Sequence, residues 1–183
     1  MWNIRKSKIR SQKRKLEDRK MSVIILYLIS SMLAVMYYDA TRFIIPNWLV
    51  GGLLLVYPLA VFLSPVAVDW KMDLLGMLGT FVLGYFIFAL RVMGGGDVKL
   101  IIVLSLWVGL QKLYIFGIDF ALLGGVLSIA VLLLRKILPF VVSKKVKLPR
   151  IFRNREPVPY GLAIAGAFLL MLFSGEIPLV ALR

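Results

Sequence analysis

Six apolar runs, separated by short polar segments, make up most of this sequence. A helix that crosses the hydrocarbon of a membrane needs about 20 mostly apolar residues, and most of these runs approach that length. The runs are continuous and do not alternate with polar residues, so they predict helices rather than the strands of a barrel. We therefore predict an all-α membrane protein, a polytopic bundle of about six transmembrane helices: Ser22–Tyr38, Trp48–Ser64, Leu74–Met93, Val98–Leu110, Leu113–Leu138 and Val158–Phe173.

The composition excludes several classes of protein. Hydrophobic residues form 61% of the 183 residues and charged residues only 17%, and a soluble fold of this size could not bury so much apolar surface. Cysteine and histidine are both absent, which excludes disulfide scaffolds, thiol nucleophiles, Ser/His/Asp triads and Cys/His zinc sites. We expect neither a metal nor a cofactor.

The basic residues form two clusters, nine of them within residues 1–20 and eight within 135–155. Basic clusters beside long apolar runs are typical of membrane proteins that face anionic lipid. We therefore predict that the 135–155 loop binds anionic head groups, and we expect no nucleic acid partner. Residues 1–20 are predicted to be a basic tail, with Met21 as an alternative start, and residues 21–183 a single membrane domain.

Three acidic residues fall at or within the predicted helices, namely Asp39, Asp97 and Asp119. A charge at membrane depth is costly, so such residues are functional candidates. Asp39 ends the first predicted helix, and two further crossings return the chain to the same face, where Asp97 begins the fourth. Asp119 enters from the opposite face and is predicted to be only a polar contact.

Two carboxyl groups brought together in a partly dry setting do not both ionise easily, so they share a proton. Such a pair could activate a water molecule with one carboxylate and protonate a substrate carbonyl with the other. Paired acids in a membrane also serve proton or cation coupling in transporters. The acids alone leave both functions open.

The residues around the two aspartates add detail. Gly94, Gly95 and Gly96 come directly before Asp97, and we expect them to break the helix, to adopt unusual backbone angles and to let a substrate backbone approach. Pro46 and Asn47 predict a helix boundary, with Asn47 as the cap of the second helix.

Together these motifs resemble those of the prepilin peptidases, which are aspartic membrane proteases. Gly94-Gly95-Gly96-Asp97-Val98-Lys99 resembles the GxGD motif of that family. Asp39, followed by Pro46-Asn47, is similar to its first aspartate motif, and Pro159-Tyr160-Gly161 is similar to its Pro-aromatic-Gly signature. The resemblance extends over about residues 22–175.

The resemblance implies that Asp39 and Asp97 are the catalytic pair, in a site shaped by Gly94, Gly95, Gly96, Lys99, Pro46 and Asn47. It implies a prepilin-like or preflagellin-like substrate, whose short leader is cut at the cytoplasmic face of a bacterial or archaeal cytoplasmic membrane. The cysteine-containing half that accompanies methyltransferase activity in larger members is absent, so the chain resembles the short, peptidase-only branch of tight-adherence-pilus or preflagellin enzymes.

Two alternatives remain open at this point. A presenilin or signal-peptide-peptidase type protease also pairs Tyr-Asp with GxGD, and Tyr38-Asp39 matches that pattern, but those proteins have more spans. A small proton-coupled transporter should show inverted repeats, and none is visible. With residues 1–20 counted, eleven basic residues flank the aspartate face and twelve the other, so the whole sequence predicts no orientation. Without residues 1–20 the numbers are eleven and three, which predicts a cytoplasmic active site, as the family resemblance also implies.

Overall fold

The computed structural model describes residues 2–64, 66–141 and 158–180. Over these ranges the chain forms six α-helices and no strand, which confirms the predicted all-α bundle. The helices are α1 (Trp2–Arg42), α2 (Asn47–Leu63), α3 (Trp70–Ala89), α4 (Gly95–Val108), α5 (Leu113–Val141) and α6 (Tyr160–Phe173), with 3-10 turns at Leu110–Lys112 and Pro178–Val180.

The six helices match the six apolar runs, with differences at their ends. α1 extends back through the basic tail, because that segment has no glycine or proline and is rich in residues that favour helix. α3 begins about one turn earlier than predicted, because the Asp69 carboxylate caps it and accepts a hydrogen bond from the Met72 N–H at 3.3 Å. The predicted basic loop 135–155 overlaps the last residues of α5, and residues 142–157 lie outside the described part of the chain.

α4 lies at the centre of the bundle and packs against α2, α3 and α6, while α1 packs against α2 and α6. The core contains fully buried side chains from several helices, including Leu28, Leu53, Leu104 and Phe168. Trp107 of α4 is buried among them, and its indole N–H donates a hydrogen bond to the Leu53 carbonyl at 3.2 Å. α6 is the second packing centre, because it contacts α1, α4 and α5.

In the described part of the chain, three helical segments are long and apolar enough to cross a membrane, namely Arg19–Arg42, Trp70–Ala89 and Leu110–Leu138. α2 and α6 are shorter apolar helices. α3 buries only Gly76 and Gly84 and exposes aromatic and aliphatic side chains elsewhere, as expected of a helix with lipid around it.

Arg135 does not belong to an exposed basic loop as predicted. It lies within α5, and its side chain is buried. The basic residues from 144 to 155, which form most of the predicted lipid-binding cluster, lie outside the described residues.

Candidate active site

Asp39 lies in the last turn of α1 and is almost completely buried, with 5% of its surface exposed. Its Oδ2 accepts a hydrogen bond from the backbone N–H of Leu162 at 3.1 Å, and the Gly161 N–H also donates to the carboxyl. Both donors belong to the first turn of α6, whose cap position is occupied by Pro159 without a capping side chain. The Asp39 carboxylate therefore caps α6 from another helix. The N–H groups at the start of α6, which have no partner within their own helix, fix the orientation of the carboxylate.

Gly161 makes this contact sterically feasible. A Cβ atom built on Gly161 would lie 2.7 Å from Asp39 Oδ2 and 2.8 Å from Cγ. Any side chain at this position would therefore displace the carboxyl from the end of α6.

Asp97 is held by its own helix. It lies in the first turn of α4, three residues after the cap residue Gly94, and its carboxyl accepts a hydrogen bond from the Gly94 N–H. This is the reciprocal half of a capping box, in which the third helical residue bonds back to the cap N–H. A Cβ on Gly94 would lie 3.1 Å from Asp97 Oδ2, so the carboxyl lies directly against the glycine backbone.

The two carboxyls line one cavity of about 690 Å3 at the end of the bundle. They are close enough to repel one another electrostatically. The other lining residues are mostly apolar and come from the ends of α1, α3 and α6 and the turn before α4: Phe43, Phe88, Ala89, Arg91, Val92, Met93, Gly94, Val158 and Tyr160. The structure thus brings together two acids that are 58 residues apart in sequence.

Two residues on the cavity wall have a left-handed backbone. Phe43 follows α1 with φ 55°, and Arg91 follows α3 with φ 57°, and they are the only non-glycine residues with positive φ in the described ranges. A side chain in this region costs about 1 kcal/mol or more and is found most often at functional sites.

The three glycines before Asp97 do not adopt the unusual angles that we expected. None has a positive φ: Gly94 is extended, with φ −67° and ψ 147°, and Gly95 and Gly96 already belong to α4. The left-handed turn that reverses the chain lies earlier, at Arg91. The glycines instead allow close packing, since a Cβ on Gly95 would lie 3.3 Å from the Phe88 ring and one on Gly96 3.4 Å from Ile45 Cβ.

The predicted cap role of Asn47 is wrong. Pro46 occupies the cap position with an extended backbone, and α2 begins at Asn47 itself, without a side-chain cap bond. Asn47 Oδ1 instead accepts a hydrogen bond from Lys99 Nζ at 3.5 Å, which connects the start of α2 to α4. Pro46, Asn47 and Lys99 do not line the cavity that contains the two aspartates.

Asp119 lies in α5, half-buried, and does not line this cavity. Within the described ranges, no group of three acidic side chains is arranged to hold a metal ion. The sequence did not predict that Phe43, Arg91 and Tyr160 line the cavity. Two of them could have been noticed in the sequence. Arg91 is a basic residue shortly before the glycine run, and Tyr160 is the aromatic residue of the Pro159-Tyr160-Gly161 motif.

The fold and the cavity define a class, that of helical membrane proteins in which two carboxyls from different helices face one cavity. Residues 26–133, more than half of the chain, match the model of the type IV leader peptidase family. The chain belongs to this family, which supports a leader peptidase function in general and a prepilin-like substrate, and it gives no support to the transporter alternative. No curated protein and no solved structure gives a significant match.

The matched region contains Asp39 and Asp97 but ends before Gly161. The contact between Asp39 and α6 therefore comes from the structure and not from the family match.

Proposed function

We propose that this chain is an aspartic endopeptidase that removes the short leader of prepilin-like or preflagellin-like precursors, with Asp39 and Asp97 as its catalytic pair. The observation that carries the proposal is the shared cavity: two acids from separate motifs, on separate helices, face the same space. Family membership supports the peptidase part of the proposal.

The proposed mechanism needs only the two carboxyls and water. One carboxylate takes a proton from a water molecule, whose oxygen attacks the carbonyl carbon of the scissile peptide bond. The protonated carboxyl of the other aspartate donates its proton to the carbonyl oxygen. The first carboxyl then gives its proton to the leaving nitrogen, while the second carboxylate takes a proton from a hydroxyl of the tetrahedral intermediate. The C–N bond breaks to give a carboxylic acid and an amine, and the pair returns to its starting state with one shared proton.

The cavity walls suit a substrate bound in an unwound form. A peptide bond within a helix is shielded by its own turns, so the precursor must be extended where it is cut. Gly94 is itself extended beside Asp97, and because it has no side chain it leaves room for an extended chain to approach the carboxyl. The apolar residues Phe43, Phe88 and Val158 would cover the substrate from water.

We further propose that residues 21–183 act as one peptidase domain in the cytoplasmic membrane, with the cavity open to the cytoplasm. The distribution of basic residues outside 1–20 supports this orientation. The exposed Lys136 near the end of α5 would then lie beside anionic head groups, where a basic residue contributes about 1 kcal/mol of attraction. No methyltransferase activity is expected, and the chain is proposed to belong to the peptidase-only branch.

The test is cleavage of a prepilin-like precursor by the purified protein, followed by gel mobility and by mass spectrometry of the new N-terminus. We expect Asp39→Asn and Asp97→Asn each to abolish cleavage, because the loss of one member of such a pair costs about as much as the loss of both. Asp119→Asn is the matched control and should remain active. Cleavage at the wild-type rate by either Asp39→Asn or Asp97→Asn would overturn the catalytic assignment.

A further inference from the structure

Two helices of this chain end in the same hydrogen-bonded motif but use different residues for it. After α6, the Gly175 N–H bonds to the Leu172 carbonyl and the Glu176 N–H to the Met171 carbonyl, with Gly175 left-handed at φ 73°. This pair of hydrogen bonds defines the Schellman motif. Glycine is the usual left-handed residue of the motif because it has no Cβ.

α3 ends with the same two bonds at the mouth of the catalytic cavity. The Arg91 N–H bonds to the Phe88 carbonyl at 2.9 Å and the Val92 N–H to the Ile87 carbonyl at 3.2 Å. Here the left-handed position is occupied by Arg91 and not by glycine. The backbone of this turn would be relaxed by glycine, so the strained arginine indicates that its side chain has a use.

The residues around Arg91 indicate what its side chain binds. Arg91 is the only cation among the residues that line the cavity in the described part of the chain. Its side chain is exposed, and no described acidic residue forms an ion pair with it. Among the described residues, none pairs with the guanidinium, which lies at the edge of the space where the substrate would be cut.

We propose that Arg91 is a specificity-determining residue that binds a carboxylate of the substrate close to the scissile bond. This inference rests on the proposed peptidase function and adds to it an acidic substrate residue. A guanidinium fork binds a carboxylate through two parallel hydrogen bonds, and the left-handed turn fixes where that fork begins.

A lipid phosphate is the competing ligand, and the structure favours the substrate. Leu90, the preceding residue, is 75% exposed and has an ordinary helical φ of −75°. An arginine that served only to contact head groups would fit at position 90 without backbone strain. The strained position is the one that faces the cavity.

The experiment uses the full chain in nanodiscs and pairs of synthetic precursors. All precursors share one scissile bond and one apolar helix, and each pair differs by Glu or Gln at a single position within about six residues of the bond. Arg91→Gly keeps the Schellman turn and relieves its strain, Arg91→Lys keeps the charge without the fork, and Arg42→Gln is a matched control on an arginine outside the cavity wall.

For at least one pair, we expect the wild type to cut the Glu precursor with a KM about tenfold lower than that of the Gln precursor. Arg91→Gly should abolish that difference while its melting temperature stays equal to the wild type or rises, and Arg91→Lys should retain part of it. Arg42→Gln should behave as the wild type does.

Two results would overturn the inference while the peptidase function stands. The wild type could cut every Glu and Gln pair equally well, or Arg91→Gly could slow both members of a pair by one factor that depends on anionic lipid in the nanodisc. The second result would identify a head-group contact. If the wild type cuts no precursor at all, the proposed function itself fails, and the role of Arg91 with it.

Discussion

Asp39 and Asp97 face the same cavity but are held by different devices. Asp97 bonds to the Gly94 N–H three residues before it, so its position is fixed within one turn of sequence. Asp39 is oriented by the first turn of α6, more than 120 residues away, through the N–H groups of Gly161 and Leu162. One acid is thus placed by local sequence and the other by the tertiary fold.

Gly161→Ala should reduce cleavage strongly, by about tenfold or more, while the protein still folds. The added Cβ would lie 2.7 Å from Asp39 Oδ2, so the carboxyl must move away from the N–H groups that orient it. A misplaced catalytic group is costly even when the displacement is about 1 Å. The measurement is kcat for precursor cleavage, together with the thermal unfolding midpoint in detergent.

Gly125→Ala is the matched control for this variant. Gly125 also lies within an apolar helix, but a Cβ there would meet no atom within 4 Å. We expect its activity to remain at the wild-type level, with a slight gain in helix stability. Equal activity in the two alanine variants would contradict the role given to Gly161.

At this scale, the sequence was sufficient to single out both acids, because charged residues are rare at membrane depth. It was not sufficient to assign a backbone conformation to the glycines or a cap to α2. Glycine is compatible with most backbone angles, so Gly94 gives no sign of which it adopts. Whether Pro46 or Asn47 caps α2 depends on the path of the preceding loop, which local sequence does not determine.

Among the helices, α2 and α3 are connected by a partly buried polar contact at the end of the bundle away from the cavity. The Tyr57 hydroxyl donates to Asp73 Oδ2 at 2.6 Å, and the Tyr57 ring packs edge-on against Trp107 at 5.5 Å between centroids. This contact joins α3 to the core, although α3 exposes most of its side chains to its surroundings.

Tyr57→Phe should lower the free energy of unfolding by about 1–2 kcal/mol, because it leaves the half-buried Asp73 carboxyl without its donor. Thermal unfolding of the purified protein in detergent measures this change. Tyr85→Phe, on the exposed face of α3, should leave the midpoint unchanged. A Tyr57→Phe protein as stable as the wild type would mean that the hydrogen bond contributes little.

The existence and order of the helices followed from the apolar runs, since backbone groups in hydrocarbon must be satisfied within the helix. The ends of α3 did not follow, because they depend on the Asp69 cap and on the left-handed turn at Arg91. Asp69 and Arg91 are polar residues, so the apolar runs alone do not predict the cap or the turn.

For the molecule as a whole, orientation in the membrane can be tested at the two ends of α3. Ala67 and Leu90 are both exposed and lie just beyond opposite ends of that helix. The chain has no cysteine, so Ala67→Cys and Leu90→Cys each provide a single label site. In intact cells, an impermeant thiol reagent should label Ala67→Cys and should reach Leu90→Cys only after the membrane is opened.

The reverse labelling pattern would place both aspartates on the outer side. The proposed cytoplasmic cleavage of leaders would then be wrong, whatever the activity of the purified protein.

The lengths of α4 and α6 have a consequence for the lipid around the protein. Each has 14 residues and so extends about 21 Å, compared with a hydrocarbon thickness of about 30 Å. Both helices begin at the aspartate cavity, so we expect the bilayer to be thinned over the two carboxyls. A thinner bilayer would fit this shape with less deformation.

We expect precursor cleavage in vesicles to be faster in lipids with 14-carbon chains than in lipids with 20-carbon chains. Equal rates would show that the membrane is not thinned over the carboxyls. Where the bilayer is thinned, water reaches the scissile bond while the rest of the precursor stays in hydrocarbon.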